Sequence, residues 1–453
     1  MKYGLLGRHL GHSYSPSIHH MLGNPSYTLF EQEPETLADF FADQSIIGLN
    51  VTIPYKADAL KACQSLTDRA QRIGAVNTMI RQADGSWHGD NTDYDGCLYS
   101  FELAGINPKD KQCLILGDGA TSQTVHVVLE DLDAKEIIHI SRKQAPFYED
   151  LTLFYDTADI IINATPVGMY PNCPESLIDL SLFKKVSGVL DLVYNPVRTS
   201  LLLQAQELGI PHSNGLPFLV AQAVESAKRF QTAQTSTLDS EQTIEHDCTK
   251  TSYTGERASS LESAHAVESV ASNKDTDKLI CDIMAAIQKN HENIVLVGMP
   301  GVGKTTVGKA LAEATGRPFV DLDDELAKDI GSIPDFIQTH GEPAFRREES
   351  KVVERFGKQS GLIISTGGGA VTVPANFAPL RQNGRIYQIT QPVDKLATNG
   401  RPLSSGGLDR LKELERIRKP MYEAFAQCII EHHKNAPQTV EKILNDFYAN
   451  LGR

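Results

Sequence analysis

Between the apolar run NIVLV and the helix formers of TTVGKALAEAT, residues Gly298 to Thr305 read GMPGVGKT and fit the pattern G-x-x-x-x-G-K-[ST]. Such a loop cradles phosphate. Gly298, Gly301 and Gly303 let backbone N–H groups face a β-phosphate, and the start of the following helix adds positive potential. Lys304 reaches the β- and γ-phosphates, Thr305 can ligate Mg²⁺, and Thr306 completes the nucleotide set. An ordinary glycine-rich turn is the competing reading, and the strand-loop-helix context weighs against it. Further on, VDLDDEL places Asp321 and Asp323 just past an apolar run. Alternation along an extended chain points both towards the phosphate loop, where one can serve a metal and the other an acceptor hydroxyl. Taken alone, the pair reads equally as a solvated acidic turn. Downstream come PAFRREES with Arg346 and Glu349, STGGGAV with Gly367, Gly368 and Gly369, GRPLS with Arg401, and RIRKPMY with Arg418.

These residues need a scaffold, and the apolar pattern supplies one. NIVLVG, PFVDLD, GLIIST and RIYQIT read as strands separated by helices, a doubly wound α/β layout. In the first half, QCLILG, EIIHIS, DIIINAT and GVLDLVY have the same rhythm and predict a second parallel α/β sheet. Ahead of them, KYGLLG, YTLFEQ and GLNVTIP predict the strands of a separate α/β block, and LPFLVAQAVESAKRF reads as one amphipathic helix. From Gln231 to Lys278 about a third of the residues are Ser or Thr, proline is absent and Tyr253 is the lone aromatic. That composition buries too little to stay ordered and predicts a flexible linker. No repeat relates the halves, so two different folds are expected.

The second-half motifs, in this order from about Asn293 to Phe425, closely resemble shikimate kinase. The resemblance implies that Arg346 and Arg418 grip a shikimate carboxylate, that Asp323 bonds the hydroxyls near the attacking oxygen, and that Gly367, Gly368 and Gly369 approach the ring through backbone. It further implies that Asp321 holds Mg²⁺ through water and that Arg401 lies on a lid over the phosphates, where a cation stabilises charge on the transferring group. The lid segment LATNGRPLSSGG departs from the family in its many small residues.

In the first half, Ser13 and Ser15 lie in GHSYSPSIHH, Asn50, Thr52 and Lys56 in GLNVTIPYK, Asn77 in GAVNT, Asp93 in GDNTDYDG and Gln222 in VAQA. Two serines alone mean nothing, but the ordered set resembles the shikimate dehydrogenase family from about Tyr3 to Arg229. Reducing a ketone by hydride builds charge on oxygen, and a Lys adjusted by a neighbouring Asp can donate the proton; Lys56 and Asp93 are that pair. A structural salt bridge is the alternative. The hydroxyls and amides of Ser13, Ser15, Thr52, Asn77 and Gln222 would bind a polyhydroxylated ring acid. His19, His20 and Trp87 suggest nothing beyond packing or surface. The cofactor turn is Gly117-Asp118-Gly119-Ala120, with Ala120 where the family usually keeps glycine, and Asp118 would be a poor neighbour for pyrophosphate if turned inward. Past the next strand, HISRK offers Arg142 and Lys143 in place of the acid that would bond a free ribose 2′-hydroxyl, which favours NADPH. Ser141 stands where the family more often has Asn. Tyr194 in DLVYNP and Gly215 in SNGLP would line the nicotinamide end.

With 453 residues, 41% of them hydrophobic, the chain can hold several domains, and a net charge of −14 argues against nucleic-acid or anionic-lipid partners. The first residues lack a signal-peptide core, no apolar run spans a bilayer, and seven scattered cysteines carry neither a disulfide nor a zinc pattern. A cytoplasmic enzyme is expected. The expected organisation is a substrate domain at 1–100 completed by a helix at 215–230, a Rossmann-type NADP domain at 101–214, the linker at 231–278 and a P-loop kinase domain at 279–453. Its expected ligands are NADP(H), ATP, Mg²⁺, 3-dehydroshikimate and shikimate. A quinate/shikimate dehydrogenase or an inactive ligand-sensing module is the alternative for the first half, and a related kinase such as gluconate kinase for the second.

Overall fold

The computed structural model describes residues 2–452 apart from 12, 172–175, 243–261, 397–406 and 433–434. By contact the chain groups into two units. One comprises Met1–Thr165, Leu180–Leu192 and Leu208–Met284, the other Pro166–Asp179, Val193–Glu207 and Ala285–Arg453.

The first unit holds two sheets. Strands β1 (Lys2–Gly7), β2 (Thr28–Glu31), β3 (Ile46–Val51), β4 (Ser65–Leu66), β5 (Thr78–Arg81) and β6 (Trp87–Asp90) form a mixed sheet in the order β2-β1-β3-β5-β6-β4. The β3–β5 and β5–β6 pairings are antiparallel. Strands β7 (Gln112–Leu116), β8 (Glu136–Ile140), β9 (Ile160–Asn163), β10 (Gly188–Asp191) and β11 (His212–Ser213) form an all-parallel sheet in the order β11-β10-β9-β7-β8. Leu114, Ile115, Leu116, Ile161 and Ile162 have no exposed surface, as strands covered on both faces require. The helix Leu216–Gln242 returns to the first sheet's side and packs on the helix Asp93–Ala104.

In the second unit, β12 (Asn293–Val297), β13 (Phe319–Asp321), β14 (Ile363–Ser365), β15 (Gly384–Thr390) and β16 (Cys428–Glu431) form a parallel sheet in the order β13-β14-β12-β15-β16. The central β12 is buried along its whole length, and the phosphate loop leaves its carboxyl end, where ligands bind in open α/β sheets.

Of the expected linker at 231–278, residues 243–261 lie outside the described residues, and those on either side continue the helices Leu216–Gln242 and Glu262–His291. Polar composition limits burial but does not oppose a helix, and without proline its Ala, Gln, Glu and Lys residues favour one. In the second of these helices Ile280, Ile283, Met284 and Ile287 are buried at i, i+3, i+4 and i+7, one apolar stripe. No helix among the described residues is long and apolar enough to cross a membrane.

Candidate active sites

In the first unit, Lys56 opens the helix Lys56–Ala62 and Asp93 opens the helix Asp93–Ala104. Their side chains form a direct ion pair, Lys56 Nζ donating to Asp93 Oδ2, with only 12% and 7% of their surfaces exposed. The other Asp93 oxygen accepts from Asn77 Nδ2 at 2.8 Å. Asn77 is held in turn, its Oδ1 accepting from Thr92 N at 2.7 Å and from Thr78 Oγ1 at 3.0 Å. Asn50 Nδ2 donates to Thr78 Oγ1 at 3.2 Å, and Asn50 Oδ1 accepts from the Tyr27 hydroxyl at 2.7 Å. Burial pushes the Tyr27 hydroxyl well above its ordinary pKa, so it stays a donor. That gives the chain of bonds one polarity. The Tyr27 proton sets the Asn50 amide, Asn50 sets Thr78, and Thr78 sets Asn77 with its NH₂ towards Asp93.

His19 stacks on Tyr27 with ring centroids 3.8 Å apart, and burial takes its pKa down to about 4, leaving it neutral. Tyr27, Thr78 and Thr92 were not singled out from the sequence. They sit on different elements, with no shared spacing to mark them.

Thr52 follows β3, its N–H donating to Leu6 O at 2.9 Å. Ser13 lies in the loop after β1, where its Oγ accepts from the N–H of Ser15, the first residue of the helix Ser15–Met21. Gln222 sits on the helix Leu216–Gln242, beside Gly96 of the Asp93 helix. Lys56, Asp93 and Asn77 are thus joined directly. Thr52 and Ser13 occupy loops after β3 and β1, and Ser15 opens the helix that follows Ser13.

Gly117 and Asp118 follow β7, Gly119 caps the helix Ala120–Asp131, and Ala120 is its first residue. Gly119 and Ala120 are exposed, so the helix N-terminus can offer N–H groups to a pyrophosphate. The Asp118 carboxylate accepts from Ser141 Oγ at 2.9 Å and from Lys143 Nζ at 3.4 Å, beyond the end of β8. Arg142 between them is exposed. Gly215 immediately precedes the helix Leu216–Gln242, whereas Tyr194 falls in residues that group with the second unit.

In the second unit a cavity of about 540 Å³ collects most of the predicted kinase residues. Gly303 caps the helix Lys304–Thr315 at φ +98°, a left-handed conformation that glycine adopts without strain. Lys304 folds back across the loop, Nζ donating to Gly298 O at 2.9 Å and Met299 O at 3.2 Å. Gly301, Thr305 and Thr306 line the cavity beside it, and Thr305 Oγ1 donates to Asp321 Oδ2 at 2.7 Å.

The reason expected for the two aspartates is corrected here. The strand ends at Asp321, which caps the helix Leu322–Ile330 by accepting from Asp323 N, so Asp323 stands in a helical turn and not on an alternating strand. Both still line the cavity.

Opposite them, Arg346 projects from the helix Glu342–Gly357, 11% exposed, paired with Glu349 at 2.8 Å and Glu342 at 2.9 Å. Its Nε is buried with no hydrogen-bond partner among the described residues, as is Glu349 Oε1. Burial pushes the Glu349 carboxyl above its usual range, against the pull of Arg346. Gly367, Gly368 and Gly369 follow β14. A Cβ at Gly369 would lie 2.2 Å from an Arg346 guanidinium nitrogen, so only glycine lets that side chain cross the loop. Arg418, from the helix Gly407–Phe425, donates to Gly368 O at 3.0 Å. Arg401 lies outside the described residues. Ile333 and Pro334 add an apolar wall that no chemical motif announces.

The family model "Shikimate dehydrogenase substrate binding domain" matches residues 5–79, and the model "Shikimate kinase" matches residues 300–448. A shikimate dehydrogenase (NADP(+)) of Clostridium beijerinckii is 32% identical over 252 residues, 51% of this chain and 92% of that relative. One of Caldicellulosiruptor bescii is 34% identical over 254 residues, 50% of this chain and 87% of the relative. Among solved structures, a chorismate mutase/shikimate 5-dehydrogenase fusion protein from Clostridium acetobutylicum is 35% identical, with 54% of this chain and 98% of that chain covered and a TM-score of 0.48.

Proposed function

We propose that this chain, which belongs to the shikimate dehydrogenase family through its first half and carries a shikimate kinase domain in its second, catalyses two consecutive reactions. The first reduces 3-dehydroshikimate to shikimate with NADPH, and the second phosphorylates shikimate to shikimate 3-phosphate with ATP. The observation that carries this reading is that each unit holds a separate chemical site. Lys56, Asp93 and Asn77 are bonded together in one, and phosphate loop, aspartates and buried arginines ring a single cavity in the other.

In this reading Lys56 delivers a proton to the carbonyl oxygen on which charge develops, and Asp93, held by Asn77, keeps the Lys56 side chain in place. Thr52, Ser13, Ser15, Asn77 and Gln222 orient the ring hydroxyls. Gly117, Gly119 and Ala120 present the helix terminus to the dinucleotide, and Ser141, Arg142 and Lys143 meet its 2′-phosphate. Tyr194 and Gly215 remain assigned to the nicotinamide end on the family resemblance.

In the second unit, the open N–H of Arg346 and the guanidinium of Arg418 suit a carboxylate, and Asp323 orients the attacking hydroxyl. Lys304, which donates to carbonyls of its own loop, lines the cavity where it would turn to the β- and γ-phosphates. Thr305 and Asp321 would hold Mg²⁺, directly and through water. Among the described residues no three His, Cys, Asp or Glu side chains gather as a metal cage, and Mg²⁺ characteristically keeps water and phosphate oxygens as its other ligands. NADPH supplies the hydride, ATP the phosphoryl group and Mg²⁺ charge neutralisation. Arg401 belongs to the lid over the phosphates in this proposal, and a cytoplasmic setting belongs to it too.

The test is an assay on the purified chain. 3-Dehydroshikimate should oxidise NADPH, and adding ATP with Mg²⁺ should then yield ADP and shikimate 3-phosphate. Asp323→Asn should leave NADPH oxidation untouched while ADP release falls about a hundredfold or more, the scale of a lost acid-base or orienting group. Unimpaired phosphorylation in that variant would remove Asp323 from the acceptor site.

A further inference from the structure

Asp118 is the residue of the dinucleotide turn that the proposed reaction leaves unexplained. It follows Gly117 and precedes the cap of the helix Ala120–Asp131, yet its carboxylate engages the far side of the turn. Oδ2 accepts from Ser141 Oγ at 2.9 Å, and Oδ1 from Lys143 Nζ at 3.4 Å. Ser141 is 1% exposed, and its Oγ already accepts from the N–H of Lys143 at 2.9 Å. A hydroxyl has one proton to give, and here it goes to Asp118. The loop 141–146 is closed by Ser141 N donating to Pro146 O at 3.2 Å, so these groups are presented from a compact turn. Arg142 stands exposed in the same loop, and half-buried Tyr148 lies within electrostatic reach of both Arg142 and Asp118.

Of the three residues that would meet a ribose 2′-phosphate, Ser141 and Lys143 are therefore already bonded to an anion. A 2′-phosphate binding there must take the Ser141 proton from Asp118 and tolerate a carboxylate at close range. A 2′-hydroxyl faces neither obstacle, since it is neutral and can donate to that same carboxylate. We propose that Asp118 is a specificity-determining residue that offsets the preference of Arg142 and Lys143 for NADPH, so that the dehydrogenase half also accepts NADH. This rests on the reading of residues 141–143 as the 2′-phosphate contact.

The experiment is calorimetric titration of the full chain with NADP⁺ and with NAD⁺, in the wild type and in Asp118→Asn, Asp118→Ala and Arg142→Ala. Far-UV circular dichroism and the thermal unfolding transitions of the same preparations report that each variant is folded. Both Asp118 variants should bind NADP⁺ about tenfold more tightly and NAD⁺ severalfold more weakly. Arg142→Ala should do the reverse for NADP⁺ and leave NAD⁺ nearly unchanged. If Arg142→Ala weakens NADP⁺ selectively while neither Asp118 variant strengthens it, the role given to Asp118 is wrong and the phosphate contact stands. If Arg142→Ala weakens both dinucleotides equally, the 2′-phosphate contact itself is misplaced and the proposal falls with it.

Discussion

Lys56 is served by one carboxylate, and that carboxylate is served by one amide, so the geometry at the proton donor depends on which way the Asn77 side chain is turned. A reversed amide would set a carbonyl oxygen against Asp93, acceptor facing acceptor. The bonds from Thr78 and Thr92 oppose that reversal, and the orientation is passed down from Tyr27 through Asn50. Tyr27→Phe keeps the ring stacked on His19 and removes only the hydroxyl donor. It should lower kcat for reduction about three- to tenfold, the scale of one neutral hydrogen bond worth about 0.5–1.5 kcal/mol. The Michaelis constant for 3-dehydroshikimate should change less than kcat, because Asn77 alone of the residues proposed to grip the ring is held by the Tyr27 chain. Steady-state kinetics separate the two constants. A rise in the Michaelis constant with kcat unchanged would mean that the Tyr27 chain shapes the substrate pocket and not the proton donor.

At the scale of elements, the phosphate loop works because β12 ends where the helix Lys304–Thr315 begins and the backbone between them turns through positive φ. Alanine at Gly303 would hold a side chain at φ +98°, with its Cβ 3.2 Å from buried His432. That strain is of order 1–2 kcal/mol. If the free loop relaxes to relieve it and ATP must restore it, Gly303→Ala should raise the Michaelis constant for ATP about five- to thirtyfold and leave NADPH oxidation alone; ATP titration kinetics read this directly. This element was legible in the sequence because strand, glycines and helix are contiguous, and the same holds for β1, β7, β9, β10 and β14, whose apolar runs announce them. The hairpin of β5 and β6 was not read. Its strands, TMIR and WHGD, are four residues each, and their partners come from β3 and β4. Asp84-Gly85 was the available signal, a turn dipeptide with Gly85 at φ +84°. The helices Leu216–Gln242 and Glu262–His291 extend into 231–278 from either side, where low apolar content does not itself oppose a helix, since helix propensity depends on proline, glycine and side-chain entropy. Likewise Asp321 and Asp323 lie on one cavity because a cap and a first helical turn place them there, a geometry that local sequence leaves open between strand and helix.

Across the whole molecule, the groups proposed to carry the two chemical steps fall in different units: Lys56, Asn77 and Asp93 in one, Lys304, Asp321, Asp323, Arg346 and Arg418 in the other, with Tyr194 alone of the dehydrogenase set grouping with the second. The two activities should therefore be separable by single substitutions. Lys56→Ala should lower reduction about a hundredfold or more and spare the kinase, and Lys304→Ala should do the opposite. The intermediate, shikimate, is a small solute, and tethering raises effective concentration only for a partner that stays attached to the chain. Once released it has no memory of which polypeptide made it. An equimolar mixture of the Lys56→Ala and Lys304→Ala chains should then convert 3-dehydroshikimate to shikimate 3-phosphate at the rate of wild-type chain with the same concentration of each active site. The lag before phosphorylated product appears should match as well. Continuous recording of NADPH absorbance beside ADP release gives both quantities in one experiment. A wild-type lag much shorter than that of the mixture would mean that shikimate passes between sites of one chain without equilibrating with solvent, and the picture of two independent catalysts would have to be abandoned.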